Sequence, residues 1–469
     1  MKILFVIQQL DFADHIAISY LSAIAKQRNH KTYFCSLKSY NLLEMVNDIK
    51  PDILAYSTNF LGFNDLVEAN KKVQGIHKCL SIMGGSHVTF SPETFEESGM
   101  DIYCVGEGEY PFRDLLERLE QNKPYDDVEN FITKNGANPV RSLISNLDEL
   151  PIADRDLVLS NSYLNAIPKK TFYSSRGCMY NCSYCCNDYY QKLYRNKGKI
   201  FRRFSVERVI QEMERVQQKY NMQFVRMGDD LFSFKADEWL EEFSDKYSKR
   251  IGKPFNCSLR IDRIDDDILR LLKKTNCYSV SISIDSVSPY VREHILHRNM
   301  RNVDIVRELK RINSYGINTH VNYMLAIPES TVEDDLNTIR MSRDSNVDYL
   351  AYTTTEPMRG TALYDYCLSK GYIDKGFVGD FIQGFERSPL SCFNKKDKDI
   401  RYNIFLLGSL VAKLPNCLYG LGMWVITHIK PNGLFEWIRN IVYKYHIENK
   451  VYLISGKSKH IEENNWKLA

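Results

Sequence analysis

Short apolar strands alternate with helical segments twice along this chain, in residues 1–122 and again in about residues 170–372. The first run has five strand candidates, and helices that cross between short apolar strands imply a parallel, doubly wound sheet. The second run has six strand candidates, two fewer than a closed eightfold barrel needs. Sheets of this kind bind ligands beyond the carboxyl ends of their strands. Three of those ends in the first run carry turn residues: Ser57-Thr58-Asn59, Gly84-Gly85-Ser86-His87 and Gly106-Glu107-Gly108-Glu109.

At 469 residues the chain is too long for one ordinary core, so we expect two or three domains. The predicted parts are a Rossmann-like domain at 1–122, a linker at 123–165, a partial barrel at 166–372 and a helical segment at 373–469. Hydrophobic and charged contents of 44% and 26% are ordinary for a globular protein. A formal net charge of +3 provides no global field for nucleic acid, so no nucleic-acid partner is expected.

Twelve cysteines without a recognisable signal peptide favour a reducing cytosol, so we expect a cytoplasmic protein whose thiols bind metal rather than pair. The N-terminal run Met1–Ile7 is typical of a strand rather than of a secretory segment. No stretch reaches about 18 consecutive apolar residues, so the sequence predicts no transmembrane helix.

Three of the cysteines, Cys178, Cys182 and Cys185, form a C-x₃-C-x₂-C pattern directly after an extended run and Gly177. Thiolates are soft ligands that select zinc, copper(I) or iron–sulfur clusters. Structural zinc needs four closed ligands, and no second Cys or His pair of that kind follows downstream. A [4Fe–4S] cube held by three thiolates keeps one iron free for a substrate or cofactor, which is the interpretation we prefer. Three structural cysteines in a reduced core are the alternative.

This pattern, with Tyr184 as the aromatic residue before Cys185, resembles the signature of the radical S-adenosylmethionine (SAM) superfamily. The resemblance implies an open six-stranded partial barrel with the cluster loop after its first strand. It also implies that the unique iron chelates the amine and carboxylate of SAM, and that one electron then produces a 5′-deoxyadenosyl radical. Cys186 is expected to point away from its neighbour and to serve packing.

The same resemblance assigns cofactor-binding roles to residues at the ends of the second and third barrel strands. Gly228 and Asp229, or Asp230 in its place, stand where the family often has a Gly-Gly-Glu-Pro-like edge that binds the methionine amino group. The glutamate of that edge is absent here. Arg260 and Asp262 follow the third strand, where the resemblance implies further contacts to SAM.

Two later strand ends complete the set of cofactor-binding candidates. Ser283 and Asp285 lie at the fourth strand, where relatives hold ribose hydroxyls and the carboxylate, although many have the longer glutamate at the position of Asp285. Ile327, within Ala326-Ile327-Pro328, resembles the segment that flanks the adenine. For each acidic residue the alternative is a solvated loop or a helix N-cap.

The turns at Gly84–His87 and Gly106–Glu109 resemble those of the N-terminal domain of cobalamin-binding radical enzymes. The resemblance implies a cobalamin site that includes Ser57, Gly84 and Gly85, since only glycine lets a backbone approach a bulky ligand without a Cβ clash. The alternative is a Rossmann-like domain whose glycines merely turn corners. The loop around His15 lacks the Asp-x-His-x-x-Gly spacing of domains that ligate cobalamin through histidine, so we expect no histidine ligand.

Residues 148–157 resemble the bridge between the two domains of the same family, and Glu356–Tyr364 resembles the segment that closes its barrel. Beyond residue 373 the sequence predicts apolar helices at 404–414, 418–429 and 434–445, preceded by a charged turn at 394–399. We expect these helices to be domain core or a lid over the barrel mouth, with an interfacial surface for a lipid-like substrate as the lesser alternative.

The predicted fold class is therefore α/β, with a Rossmann-like parallel sheet, a partial (β/α)₆ barrel and a small helical C-terminal segment. The function implied by the resemblance is methylation of an unactivated carbon of a small-molecule substrate, or its cyclisation or rearrangement. The expected cofactors are a [4Fe–4S] cluster, SAM and cobalamin, with flavodoxin or ferredoxin as the electron donor. The alternatives are a tRNA methylthiotransferase, which would need a second cluster site among Cys35, Cys79 and Cys104, and a non-catalytic sensor.

Overall fold

The computed structural model describes residues 1–10, 15–59, 61–300, 303–378 and 387–454. The chain divides into two compact units. The first comprises residues 1–167 together with 189–204, and the second comprises residues 168–188 together with those from 205 onward. Across these described ranges, none of the helices has the length and apolar character needed to cross a membrane.

The first unit is built on a sheet whose five parallel strands follow the order β2-β1-β3-β4-β5. Its main elements are β1 (Lys2–Ile7), α1 (Ile16–Gln27), β2 (Lys31–Ser36), α2 (Leu42–Ile49), β3 (Ile53–Ser57), α3 (Phe63–Ile76), β4 (Leu80–Gly84), α4 (Ser86–Phe90), α5 (Phe95–Ser98), β5 (Ile102–Cys104) and α6 (Glu109–Glu120). The strand order reverses between β1 and β3, which is the point where doubly wound sheets bind ligands. The predicted Rossmann-like sheet is confirmed.

Residues 123–165 belong to the same unit, which corrects their assignment as a linker. Two short strands in this segment, β6 (Phe131–Thr133) and β7 (Gly136–Ala137), extend the sheet in antiparallel fashion from β5. Further along, α7 (Asp156–Leu159) follows Asp154, whose carboxylate accepts a hydrogen bond from Ser22 Oγ at 2.5 Å. The segment folds onto the sheet because β5 would otherwise leave an unpaired edge.

The second unit contains a sheet of six parallel strands, in which neighbours in the sheet are successive in the chain. Its elements are β8 (Lys169–Phe172), β9 (Ser175–Arg176), α8 (Cys186–Leu193, which ends in the first unit), β10 (Arg202–Arg203, also of the first unit), α9 (Val206–Lys219), β11 (Phe224–Met227), α10 (Glu238–Arg250), β12 (Phe255–Leu259), α11 (Asp266–Lys274), β13 (Cys277–Asp285), α12 (Ile305–Ser314), β14 (Asn318–Leu325), α13 (Val332–Asp344), β15 (Tyr349–Thr354), α14 (Ala362–Ser369), α15 (Lys395–Val411), α16 (Asn416–His428) and α17 (Gly433–His446). The sheet is formed by β8 and β11 to β15, as expected for a partial (β/α)₆ barrel.

The two faces of the barrel strands differ in polarity. Register places Asn256 beside Ser279 and Ser281 beside His320 on one face. The alternate positions are apolar and pack against the helices, as Phe255 does against Phe243 of α10 with ring centroids 6.2 Å apart. Because side chains alternate along a strand, the polar face is the one that lines the barrel interior.

Helix α15 packs on the barrel as domain core, which favours this expectation over a lid for that part of the C-terminal segment. Arg401 of α15 is buried, and its Nε lies 2.6 Å from the Asp335 carboxylate of α13. A Cβ placed at Gly408 would lie 2.6 Å from the Tyr352 ring, so α15 packs directly on the outer face of β15. The predicted charged turn is also wrong, because residues 395–399 form the first turn of α15, capped by the Asn394 side chain.

A one-turn π-helix at Ile447–Val451 covers the end of the barrel opposite to the cysteine motif. Its carbonyl groups accept hydrogen bonds from residues at the beginning of two strands, Ser279 Oγ at 2.6 Å and Asn318 Nδ2 at 3.2 Å. The next residue, Tyr452, contacts the Phe224 ring at the start of β11 with centroids 5.8 Å apart. The chain after α17 thus closes the amino-terminal end of the barrel, not its mouth.

Candidate active site

The cysteine loop follows β8. The backbone of one of its residues, Ser183, is hydrogen-bonded to two other segments of the second unit. Ser183 N donates to the Leu296 carbonyl at 2.9 Å, and the Ser183 carbonyl accepts from Leu363 N at 2.8 Å. The Ser183 hydroxyl adds a bond to the Ile295 carbonyl at 2.6 Å. Gly177 permits the turn into the loop, since its φ of 75° lies in the left-handed region. The loop is therefore held at the carboxyl end of the barrel.

The three thiols of the motif lie within one loop of eight residues. Burial is the main cause that raises the pKa of Cys178 to about 11, with smaller contributions from the charges of Asp230, Cys185 and Cys182. Within the described ranges no three Cys, His, Asp or Glu side chains are close enough to share a single metal ion. A [4Fe–4S] cube binds each thiolate through a different iron, so its ligands need not converge on one point as those of a single ion do.

Two buried arginines flank the middle cysteine. Arg298 Nη1 lies 3.8 Å and Arg260 Nη1 4.0 Å from Cys182 Sγ. Burial raises the pKa of Cys182, and the two guanidinium groups oppose that rise. Cations beside a thiol stabilise the thiolate, which is the form that binds iron. The donor set and its charges therefore fit a cluster.

The neighbours of Cys185 favour its thiolate form. The pKa of Cys185 is lowered to about 7 because the Cys186 thiol hydrogen-bonds to it, with a further contribution from Asn187. Asn187 Nδ2 lies 3.6 Å from Cys185 Sγ and also donates to Asp230 Oδ2 at 3.1 Å. Cys186 thus supports the thiolate form of Cys185 in addition to packing.

Asp229 is fixed at the end of β11 by residues that follow β8. Its Oδ1 accepts hydrogen bonds from Ser174 N at 2.8 Å and from Ser175 Oγ at 2.6 Å. Burial raises the pKa of Asp229 to about 6 despite these donors. The second oxygen, Oδ2, is buried and has no hydrogen-bond partner among the described residues, so it can accept a donor from a ligand. Gly228 is needed for packing, because a Cβ there would lie 2.6 Å from the Tyr173 ring.

Tyr184 and Asp285 are in direct contact, which the sequence did not indicate. Tyr184 donates its hydroxyl to Asp285 Oδ2 at 2.7 Å, and Arg298 Nε forms an ion pair with the same oxygen at 2.8 Å. Asp285 has a φ of 67°, a left-handed conformation that costs free energy in a non-glycine residue. Arg298 Nη2 also donates to the Ser283 carbonyl at 2.5 Å.

The other predicted cofactor residues have different environments. Arg260 makes a bidentate pair with Asp262, at 2.9 and 3.2 Å, and its guanidinium stacks 3.8 Å from the Tyr180 ring centre. The Ile327 side chain is fully buried in an apolar cluster against which Tyr184 packs, so only its backbone could contact a ligand.

Sequence reasoning missed Arg298 and the polar barrel interior. Arg226 projects from β11 beside Asn256 and is half-buried, yet its guanidinium has no hydrogen bond or ion pair within the described part of the chain. The inward hydroxyls of Ser258 and Ser283 and the amide of Asn322 are likewise half-buried and unpartnered among those residues. Strict polar alternation along β13 and β14 was the signal that could have revealed this lumen.

In the first unit, Ser57 and Gly84 lie side by side at the carboxyl ends of β3 and β4. Gly85 has a φ of 109°, and a Cβ there would lie 2.2 Å from the Thr58 carbonyl oxygen, so the fold itself requires glycine. At Gly84 the nearest atom to such a Cβ, the Cys104 carbonyl oxygen, is 3.6 Å away, which is an ordinary contact. Gly84 is therefore the glycine that ligand approach can explain. His15 directly precedes α1, while residues 11–14 of its loop lie outside the described residues.

The three scattered cysteines of the first unit do not resemble the loop of the second. Cys35 lies in β2 and Cys104 in β5, on opposite sides of three other strands, and burial raises the pKa of each to about 12. Burial likewise raises the pKa of Cys79 to about 11, with no contribution from another cysteine among its main causes. This arrangement argues against the second cluster that a methylthiotransferase needs.

A parallel partial barrel with a three-thiol loop after its first strand, in a chain with a Rossmann-like unit, defines a class of radical enzyme. Residues 172–341 match the model of the radical SAM superfamily, and residues 11–116 match that of the B12 binding domain. The chain therefore carries a radical SAM domain and, before it, a B12-binding domain. The cofactors of this class are a [4Fe–4S] cluster, SAM and cobalamin.

The chain is similar to an uncharacterized methyltransferase of Pyrococcus horikoshii, with 24% identity over 372 residues that cover 76% of this chain and 79% of that protein. It is also similar to an anaerobic magnesium-protoporphyrin IX monomethyl ester cyclase of Rubrivivax gelatinosus, with 21% identity covering 67% and 58% of the two chains. Among solved structures, the cobalamin-dependent SAM radical enzyme OxsB with aqua-cobalamin bound matches with a TM-score of 0.67 and 16% identity, covering 95% of this chain and 75% of that one.

Substitutions at the two glycines should separate ligand contact from backbone strain. We expect Gly84→Val to lower the corrinoid content by about tenfold while the melting temperature of the apoprotein stays close to wild type, because valine suits a strand. Gly85→Ala should instead lower the melting temperature even without corrinoid, since its Cβ meets the Thr58 backbone. Corrinoid absorbance and thermal denaturation measure the two effects. Stoichiometric corrinoid in Gly84→Val would contradict the assigned site.

Proposed function

We propose that this protein is a cobalamin-dependent radical SAM enzyme that methylates an unactivated carbon of a small-molecule substrate. The observation that carries the proposal is the loop with Cys178, Cys182 and Cys185 after the first barrel strand, in which the Arg260 and Arg298 guanidinium groups lie beside Cys182. When bound, the cluster and SAM supply a 5′-deoxyadenosyl radical and cobalamin supplies the methyl group. The similarity to a methyltransferase of Pyrococcus horikoshii supports methylation as the reaction.

The residues of the loop have separate tasks in this proposal. Arg260 and Arg298 favour the thiolate form of Cys182, and Ser183 fixes the loop to the neighbouring segments. Asp229 offers its unpartnered Oδ2 to a donor such as the methionine ammonium group of SAM. Asp285, held by Tyr184 and Arg298, is oriented by two groups from outside its own strand.

The barrel interior is the proposed binding site for the substrate, which we infer to carry an anionic group. Arg226 is a half-buried cation with no protein partner in the described ranges, and a carboxylate or phosphate would provide one. Ser258, Ser283 and Asn322 lie closer to the carboxyl ends of the strands than Arg226 does, and they add further hydrogen-bonding groups without a partner among the described residues. Burial lowers the pKa of His320 in the same interior to about 4, so this imidazole is neutral at pH 7 and does not compete for the anion.

Cyclisation or rearrangement is the second candidate, supported by the similarity to a magnesium-protoporphyrin ester cyclase. It uses the same radical and differs only in the fate of the substrate. In either case we expect a low-potential reductant such as flavodoxin or ferredoxin, no nucleic-acid partner, and a reducing compartment, the cytoplasm. All twelve cysteines are free thiols, as such a compartment requires.

The test uses anaerobically reconstituted protein, SAM labelled in its methyl group, and a small-molecule extract of the producing cells. We expect deoxyadenosine formation together with a metabolite that carries the label. Arg226→Gln should lower the labelled product by about tenfold to a hundredfold, because a charged hydrogen bond is lost, while iron content stays unchanged. Arg226→Lys is the control that keeps the charge and should restore part of the product. Deoxyadenosine with an isomerised but unlabelled metabolite would favour the cyclase; no SAM cleavage at all would contradict both functions.

A further inference from the structure

The two last helices of the second unit leave an apolar surface uncovered. Fourteen large apolar side chains are exposed across the described ranges, and eight of them lie between residues 418 and 445. We refer to these eight as the C-terminal apolar face: Leu418, Leu421, Trp424, Ile429, Leu434, Trp437, Ile441 and Tyr445. Scattered exposed apolar residues are normal, whereas a concentration of this kind marks an interaction surface.

Helical geometry shows that these residues share one side of each helix. In α17, Leu434, Trp437, Ile441 and Tyr445 are spaced i, i+3, i+7 and i+11, which forms a single stripe. The opposite side of α17 is the one that packs, with Phe435 buried. The exposed apolar stripe of α17 is therefore separate from the side of the helix that packs against the rest of the unit.

Helix α16 has the same division. Gly422 and Ile426 are its buried residues, whereas the exposed Leu421 and Trp424 lie on the side away from Ile426. Leu418, also exposed, lies one turn before Gly422. The helix contains no Asp, Glu, Lys or Arg between residues 416 and 428. An outward side with no charge is unusual for a helix that faces only water.

The helix pair is held rigidly by polar contacts from the rest of the unit. Asn403 Nδ2 of α15 donates to the carbonyls of Ile426 at 2.9 Å and Ile429 at 2.6 Å. The Arg439 guanidinium lies 4.7 Å from the Phe405 ring centre. Because these contacts are on the inner side, the apolar face is presented outward by a fixed support.

The segment that carries this face has more basic than acidic residues. Residues 413–450 contain five Lys or Arg residues and two Glu residues. Lys430, in the turn between α16 and α17, also lines a cavity of about 500 Å³ together with Arg387, Phe393, Lys395, Lys398, Asp399 and Pro431. Asp399, the single acidic member, already pairs with Arg387 at 2.7 Å. The lysines of the cavity have no ion pair within the described part of the chain, so the turn has uncompensated positive charge.

We propose that the C-terminal apolar face docks on an anionic phospholipid bilayer. Tryptophan and tyrosine on an apolar stripe beside lysines are what a helix lying in the membrane interface requires. Lys444 is exposed about two turns after Trp437 on the same side of α17, where it can reach lipid phosphates. Lys430 and its cavity provide further positive charge. A second copy of the chain fits less well, because symmetric pairing of this face would bring the same basic groups together.

The experiment measures binding of the full chain to vesicles by flotation. We expect binding to phosphatidylcholine vesicles with about 30% phosphatidylglycerol, and much weaker binding to pure phosphatidylcholine or at about 0.5 M salt. Replacing Leu434 and Trp437, which are 60% and 61% exposed, by serine should lower the partition coefficient by about tenfold or more. Their exposure makes an effect on folding small.

The matched control is the Ile76→Ser, Val378→Ser variant, which loses two apolar residues of similar exposure outside the face and should bind like wild type. The proposal would be overturned if the Leu434→Ser, Trp437→Ser variant bound anionic vesicles as strongly as wild type. It would also be overturned if the wild-type protein did not bind anionic vesicles. A doubled mass in light scattering that this variant abolishes, without vesicle binding, would assign the face to a second copy and overturn it as well.

Discussion

Replacing Cys182 by alanine is expected to remove the cluster and to stop SAM cleavage. Cys182 is the most buried of the three thiols, and Arg260 and Arg298 both direct a guanidinium nitrogen toward it. With two thiolates left, one iron of the cluster would have no protein ligand, and Arg260 and Arg298 would lose the thiolate beside them. Iron should fall from about four per chain to well below that value after reconstitution. Iron and sulfide analysis, visible absorbance and deoxyadenosine release measure the change.

Two other cysteines serve as controls for this result. Cys392 is exposed, so Cys392→Ala should keep full iron content and activity. Cys186→Ala should also keep about four irons, because the three ligands remain, although the hydrogen bond that lowers the pKa of Cys185 is lost. A full cluster in Cys182→Ala would show that the thiols of this loop are not its ligands.

Loss of Arg401 is expected to be the most damaging single change to folding outside the cysteine loop. Arg401 Nε pairs with Asp335 at 2.6 Å, its Nη2 donates to the Ser330 carbonyl at 2.9 Å, and both charged side chains are buried. Arg401→Met would leave a buried carboxylate without its cation, which typically costs about 3–5 kcal/mol. The midpoint of urea unfolding, followed by a probe in the second unit, should shift accordingly.

An exposed ion pair provides the control for this buried one. Arg387 forms a pair with Asp399 and is about half exposed, so Arg387→Met should change the free energy of unfolding by at most about 1 kcal/mol. Removing both charges in Arg401→Met, Asp335→Leu should recover much of the loss, since no uncompensated charge remains.

A truncation after residue 394 should fail to give a folded second unit. A truncated protein that still binds four irons and SAM would instead restore the lid interpretation.

The sequence predicted the fold class and the order of the elements well, because those depend on residues close together in the chain. The strands Lys2–Ile7, Phe255–Leu259 and Asn318–Leu325 begin and end where the apolar pattern placed them. The error at residues 123–165 has a physical cause. Two-residue and three-residue strands such as β6 and β7 have too short a pattern to recognise, and only the open edge of β5 makes them strands.

The candidate site was predicted only in part. Three cysteines within eight residues form a strong local signal, and their shared space follows from the loop alone. The roles of Asp229, Asp285 and Tyr184 remain predictions, but the structure adds their contacts with Ser174, Ser175 and Arg298. None of these contacts leaves a periodic signal, because most of them join residues from different βα units and Arg298 reaches Asp285 from the irregular segment after β13.

The sequence by itself determined the two βα runs, the cysteine loop after the first barrel strand and the apolar character of the last helices. The tertiary structure alone decided which groups surround that loop and which side of the barrel the C-terminal chain closes. Arg260 and Arg298 reach Cys182 from 78 and 116 residues away, and Ser279 meets Val451 across 172 residues. Spacing and hydrophobic periodicity report neighbours along the chain, whereas these contacts arise only when the barrel places the ends of its strands together.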